Sequence, residues 1–259
     1  MTVNITLDTV DKVRTLARTA GAAIMKIYES GFTVETKSDD SPVTRADRLA
    51  EEIIVAGLRK LTAKFPIVAE EASEAGNTPD VTGQPFWLVD PLDGTKSFIK
   101  HEPEFTVNIA LIDAGRPALG VVYAPASRAL YWGSANGAFA ETGGSLARPI
   151  ACRPVPDKGL VVAASSNHRS PADDAFLAKL DVKKEISIGS SLKFCLVATG
   201  RADVYPRFGP TMEWDTAAGH AVLRYAGGRV THVDGSEFFY GKPGFRNTDF
   251  IAWGAEASA

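Results

Sequence analysis

Residues 87–98 read WLVDPLDGTKSF, an apolar run that stops at one carboxylate, Asp90, and meets a second, Asp93, three residues later, directly before Gly-Thr. Such a run reads as a buried strand. A strand ending on Asp90, with Pro91 fixing the turn, places two carboxylates and the Leu92 carbonyl around one point at the strand's carboxyl end. That oxygen cluster suits a hard cation such as Mg²⁺. Gly94-Thr95 then opens a short helix whose free N–H groups and positive dipole end can receive an anion. The plainer alternative is that Asp90 and Asp93 cap a turn.

Two more acids bear on that choice. Glu70 ends the strand-like PIVAEE, and Asp215 opens the helix WDTAAGHAV, although each also fits as an edge or N-cap residue.

The rest of the chain supplies the frame. Val10, Val13, Ala17, Ala20, Ile24 and Ile27 recur at helical spacing up to Ser30-Gly31, and a short strand is expected next. Thr44 reads as the N-cap of a second helix reaching about Lys64, with Leu49, Ile53, Leu58 and Leu61 on one face and Asp47 in its first turn. PIVAEE, FWLVD, FTVNIALID, PALGVVYAP and the hairpin YWGSANGAFAE read as a mixed sheet. The stretch 142–158 has Gly and Pro but no period and is expected as a crossing. Beyond it, strands GLVVAAS, EISIG, ADVYP and RVTHV alternate with helices PADDAFLAKL, SSLKFCLVATG and WDTAAGHAVLRYAGG.

The expected fold class is therefore α/β, with an α+β first lobe (1–150) carrying most of the acids and an α/β second lobe (151–259) carrying Asp215. The site is expected in the cleft between them. A net charge of −3 without a basic stripe argues against a nucleic-acid duplex as partner and leaves a small anionic ligand open. Lys and Arg interrupt every apolar run of the first thirty residues, so neither a secretory leader nor a spanning helix is expected there. The cytoplasm is the default compartment, with peripheral attachment to the inner membrane face left open. Cys152 and Cys195, far apart and without ligand spacing, read as plain thiols.

Glu-Glu at a strand end, Asp-Pro-Leu-Asp-Gly-Thr, and Trp-Asp-Thr-Ala-Ala-Gly, in that order, resemble the inositol monophosphatase superfamily of metal-dependent phosphomonoesterases. The resemblance covers nearly the whole chain, including SPVTRAD (41–47), and implies a layered αβαβα sandwich. FIKHEPEFTVNIALID, SIGSSLKFCLVATG and YPRFGPTMEWDTAAGHAV look most like the bacterial 3′(2′),5′-bisphosphate nucleotidases within it. Two stretches depart. Lys242-Pro243 stands where the family often has Asn-Pro, and SEAGNTPDVTGQ (73–84) carries no family signature.

Carried over by position, the resemblance implies that Glu70, Asp90 and the Leu92 carbonyl hold one Mg²⁺ while Asp90, Asp93 and Asp215 hold a second, with Asp90 bridging. Glu70 also helps to seat a third. Thr95 bonds the attacking water, Asp47 orients Thr95 and accepts its proton, and the Gly94 and Thr95 amides hold phosphate. Li⁺ inhibition is implied as well. Lys193 and Arg207 are the candidates for a second phosphate, since that group needs cations, with Ser190 and Ser191 as ribose or phosphate contacts. Trp214 can stack on adenine or pack inside, and His220 is expected as a packed histidine. Glu70, Leu92, Asp93 and Asp215 would also face the substrate, a small nucleotide bisphosphate; monomer and homodimer stay open.

Rival readings keep the fold and change the substrate to inositol monophosphate or fructose 1,6-bisphosphate, or keep the pocket and lose turnover. An aspartyl-phosphate enzyme is excluded because Asp90 and Asp93 are separated by two residues rather than one, and a twelve-residue calcium loop because the spaced ligands are missing.

Overall fold

The Thr6 hydroxyl accepts a bond from Thr9 N, and from there helix α1 (Leu7–Ser30) runs to Gly31, whose φ of 85° ends it. Val10, Val13, Ala17, Ala20 and Ile24 are buried, as their spacing requires. The computed structural model describes residues 3–36, 42–165 and 169–256; Ser41 of the SPVTRAD stretch lies outside the described residues. Strands β1 (Val34–Thr36) and β2 (Pro42–Thr44) form an antiparallel ribbon that leads into α2 (Arg45–Leu61). The buried stripe of α2 is Ala46, Ala50, Ile54 and Leu58, whereas Leu49, Ile53 and Leu61 are only half-buried, so the expected face was displaced by one position. Helix α1 packs closely beside this face: a Cβ on Gly57 would sit 2.1 Å from Leu16.

Next come β3 (Ile67–Ala69), α3 (Glu70–Glu74), β4 (Phe86–Asp93), α4 (Thr95–Ile99), β5 (Thr106–Asp113), β6 (Arg116–Ala124), β7 (Ala129–Ser134), β8 (Gly137–Thr142) and β9 (Arg148–Pro149). The seven strands form one sheet in chain order, with β3 parallel to β4 and every later pair antiparallel. The stretch 142–158, expected to be aperiodic, thus contains an edge strand.

The second half contains β10 (Leu160–Ser165), α5 (Pro171–Leu177), β11 (Val182–Ile188), α6 (Leu192–Ala198), β12 (Val204–Arg207), β13 (Thr211–Met212), α7 (Glu213–Tyr225), β14 (Arg229–His232), β15 (Arg246–Asn247) and β16 (Phe250–Trp253). A five-stranded sheet has the order β11-β10-β12-β16-β14, and β13 pairs with β15. Strand β16, antiparallel to both of its neighbours, was not expected.

The layers follow from which side chains share a core. Along β4, Trp87 and Val89 pack with α1 and α2 on one face, while Phe86 and Leu88 join α6 and α7 on the other. Helices α6 and α7 in turn pack on the five-stranded sheet, whose far face meets α5 through Val162, Leu177, Val204 and Ile251. The order is helices, sheet, helices, sheet, helix: the αβαβα sandwich. Gly120 and Gly133 let α7 lie directly on β6 and β7; a Cβ on Gly120 would sit 2.4 Å from the Ala218 carbonyl oxygen. No helix of the described residues is long and apolar enough to cross a membrane.

Candidate active site

Strand β4 does not stop at Asp90. Asp90 pairs with Asn108 and Asp93 with Thr106, so three steps on β4 oppose two on β5, a bulge around Pro91, which has no N–H for the ladder. Asp90, still in register with β5 and on the same face as Phe86 and Leu88, is 2 % exposed and accepts from Leu92 N at 3.0 Å. Asp93 Oδ2 accepts from Ser191 N, from Asn108 Nδ2 at 3.3 Å and from Thr106 Oγ1 at 3.5 Å. Gly94 follows with φ 93°, and a Cβ there would lie 2.8 Å from the Glu104 carbonyl oxygen; only glycine fits the turn into α4.

Asp47 stands at the third position of α2, where its Oδ2 accepts from Thr44 N at 2.8 Å and from the Thr44 hydroxyl at 2.7 Å. Its other oxygen is 3.2 Å from Thr95 Oγ1, and the same hydroxyl reaches the Leu92 carbonyl at 3.1 Å. One turn further along α2, Glu51 accepts from Glu71 N at 2.8 Å and Ala72 N at 2.9 Å. It caps α3, of which Glu70 is the first residue, and so sets where Glu70 points. The sequence reading missed Glu51, although its spacing of four from Asp47 was available as a signal. Among the described residues, the carboxylates of Glu70, Glu71 and Glu74 form the one trio within 4.8 Å of one another.

From the second half, Asp215 is the third residue of α7 rather than its opening one, and its Oδ2 accepts from Met212 N at 2.8 Å. Fully buried Glu213 begins the helix and accepts from Gly241 N at 2.7 Å and Lys242 N at 3.0 Å. Its ion pair with Lys242 Nζ at 2.7 Å gives the departing Lys242 a structural place. Trp214 is buried against Phe245 and faces the core, so the adenine-stacking alternative falls away. His220 Nδ1 is 3.0 Å from the Tyr240 hydroxyl inside the core, a packed histidine.

These elements border a cleft of about 660 Å³, lined by Glu70, Asp93, Gly94, Thr95 and Asp215 together with Ser190, Ser191, Lys193 and Arg207. The Ser191 hydroxyl bonds Asn108 Oδ1 at 2.7 Å and lies 2.9 Å from Thr106 Oγ1, so it holds the partners of Asp93. Ser190, with φ 52°, is half-buried. Lys193 Nζ donates to the Ser190 carbonyl at 2.6 Å, and burial lowers its pKa to about 8. Arg207 Nη2 donates to the Pro210 carbonyl at 3.1 Å.

The charge balance tests whether a cation belongs there. Burial raises the pKa of Asp90, and the charges of Glu70, Asp93 and Asp215 raise it further. Burial also raises Asp93, against the pull of Lys193, and takes Asp215 up to about 7 with help from Asp93. Buried Asp90 and the half-buried acids around it repel one another, and such all-oxygen donors beside a carbonyl fit a hard divalent cation.

The family profile described as "Inositol monophosphatase family" matches residues 6–256. The chain is 46% identical over 246 residues to the 3′(2′),5′-bisphosphate nucleotidase CysQ of Salmonella typhimurium, covering 92% of this chain and 98% of that one. It is 42% identical over 255 residues to the protein of the same name from Buchnera aphidicola, covering 96% and 95%. Among solved structures, CysQ from Bacteroides thetaiotaomicron superposes with a TM-score of 0.79 at 38% identity, covering 97% of this chain and 98% of that one. An IMPase of Thermotoga maritima superposes at 0.78 and 28%, covering 95% and 92%. With the acids, the bulge and the five layers in place and the profile spanning nearly every residue, this chain belongs to the inositol monophosphatase family.

Proposed function

We propose that the chain is a Mg²⁺-dependent 3′(2′),5′-bisphosphate nucleotidase that removes the 3′-phosphate of adenosine 3′,5′-bisphosphate, giving AMP and phosphate. The observation that carries this reading is one cleft lined both by acids, Glu70, Asp93 and Asp215, with Thr95 bonded to Asp47, and by the buried cations Lys193 and Arg207. A substrate with two phosphates calls for both the acids that can hold cations and the cationic side chains. Relatives that share 42% and 46% of their residues with this chain carry the nucleotidase name.

Glu70, Asp90, the Leu92 carbonyl, Asp93 and Asp215 would hold two, or with Glu70 three, Mg²⁺ ions. When bound, these supply charge neutralisation at the phosphoryl oxygens and a water of lowered pKa. Asp90, which feels Glu70, Asp93 and Asp215 at once, is the acid suited to bridge. Thr95 Oγ1 shares its hydrogen between Asp47 and Leu92 O, which leaves its lone pairs to accept from a water, and Asp47 takes the proton that passes through. The Gly94 and Thr95 amides orient the phosphate, and Lys193 and Arg207 hold the distant one, so the chain's own part is positioning and charge. Residues of both 1–150 and 151–259 line the cleft. A cytoplasmic location suits a nucleotide substrate.

The test is phosphate release from adenosine 3′,5′-bisphosphate and from inositol 1-phosphate, side by side, with Mg²⁺ and with EDTA. The reading expects preference for the nucleotide and loss of both activities in EDTA. Preference for the inositol phosphate keeps the acids' role and overturns the substrate.

A further inference from the structure

We propose that Phe208 is the platform on which the nucleobase of the substrate stacks, which makes it a specificity-determining residue; the inference rests on the nucleotidase reading above. Three aromatic rings line the cleft: Phe194, Tyr205 and Phe208. Phe194 and Tyr205 are 1 % and 4 % exposed, and their rings pack on each other at 5.1 Å and on Phe250 at 5.7 and 5.5 Å. Their faces are already covered. Phe208 is half-buried, follows directly on Arg207 and lines the same cleft.

The ring is held from behind. Phe176 lies 5.4 Å away at 45°, on the side of α5. The backbone is pinned at both polar atoms: Phe208 N donates to Asp173 Oδ1 at 3.3 Å, and Phe208 O accepts from the Ser170 hydroxyl at 3.2 Å. Asp173 and Ser170 are themselves the capping box of α5. One residue on, Gly209 N donates to Asp249 Oδ1 at 3.0 Å. A ring fixed before its ligand arrives loses little freedom on binding.

The next residue leaves the cleft open. Gly209 lines the cleft with φ 142°, which favours glycine, and no atom lies within 4 Å of where its Cβ would be. A planar heterocycle linked through ribose to a phosphate on Arg207 can therefore lie against Phe208 without displacing a side chain. An inositol ring, which has no π face, would draw nothing comparable from this position.

The experiment compares wild type, Phe208→Ala, Phe208→Leu and Phe208→Trp on adenosine 3′,5′-bisphosphate and on the base-free 1-deoxyribose 3,5-bisphosphate. Leu keeps an apolar contact with Phe176 and removes only the aromatic face, so it separates stacking from folding. Base stacking of ordinary strength predicts that Ala and Leu raise KM for the nucleotide about tenfold, leave kcat within about threefold, and change KM for the base-free substrate less than about twofold. Trp should restore the wild-type KM. Equal losses on both substrates, or an unchanged KM for the nucleotide, would overturn the platform alone. A wild-type enzyme that releases phosphate from inositol 1-phosphate but not from the nucleotide refutes the nucleotidase reading, and the platform falls with it.

Discussion

Asp47 Oδ1 and Thr95 Oγ1 stand 3.2 Å apart although 48 residues separate them in the chain. The first is locked by the N-cap of α2 and the second by the opening of α4, so neither has to search for the other. Thr95→Ala should lower kcat by about a hundredfold or more without lowering the melting temperature, while Thr95→Ser keeps most of the activity. Steady-state kinetics beside a thermal melt check this, and a Thr95→Ala enzyme of normal kcat would remove the hydroxyl from the mechanism.

Asp90 is the acid most crowded by its neighbours. Asp90→Asn should leave the metal-free protein at least as stable as wild type, because it removes a buried charge among like charges. It should also abolish most of the stabilisation that Mg²⁺ gives, about 2.7 kcal/mol at a hundredfold excess over Kd. Asp93→Asn should lose less of both Mg²⁺ stabilisation and turnover. Melting curves with and without Mg²⁺ decide it, and equal modest losses in the two variants would end the bridging assignment.

The seat of α7 on the sheet is tight enough to probe directly. A Cβ on Gly120 would meet the Ala218 carbonyl oxygen at 2.4 Å and the Ala221 Cβ at 2.5 Å. Gly120→Ala should cost about 1–3 kcal/mol of stability and raise the Mg²⁺ concentration needed for half-maximal rate, since Asp215 rides on the helix that must move. Urea unfolding and a Mg²⁺ titration measure the two effects separately.

His220 supplies a pH test away from the acids. Burial, helped by the charge of Arg224, lowers its pKa from 6.5 to about 3. The folded state therefore holds it neutral, and the stability this represents is present above pH 6.5 and drains away as pH falls toward 3, up to about 4 kcal/mol at the end. His220→Gln should flatten that decline relative to wild type. Parallel slopes for the two proteins between pH 6.5 and 4 would show that His220 does not titrate this way.

What the sequence disclosed depended on whether a residue's role was local. Val10 through Ile24 announce α1 because a helix buried on one face writes its own period. Thr44 and Asp47 announce a cap three residues apart. The four acids became legible through short motifs rather than spacing, and the motif could not reveal that β4 continues past Pro91 to Asp93 through a bulge. Glu51 was missed because it acts on the backbone of α3, twenty residues away. Strand β16 was missed because Phe250–Trp253 earns its place by pairing with β12 and β14, partners that no local pattern names. Leu49 and Ile53 were misplaced because the face buried on packing, Ala46, Ala50, Ile54 and Leu58, lies one position further on, a choice made by tertiary contacts and not by the local period.

Helix α7, sandwiched between the two sheets, also imposes a timetable on synthesis. The β4–β8 face it covers leaves the ribosome long before Glu213–Tyr225 does, exposing Phe86, Leu88, Ala110 and Ile112 with nothing yet to cover them. A nascent chain halted before residue 213 would display that bare surface to chaperones and to other copies of itself. The helix that closes it also brings Asp215, so by the metal-ligand assignment the chain acquires its last metal ligand in the act that covers this face.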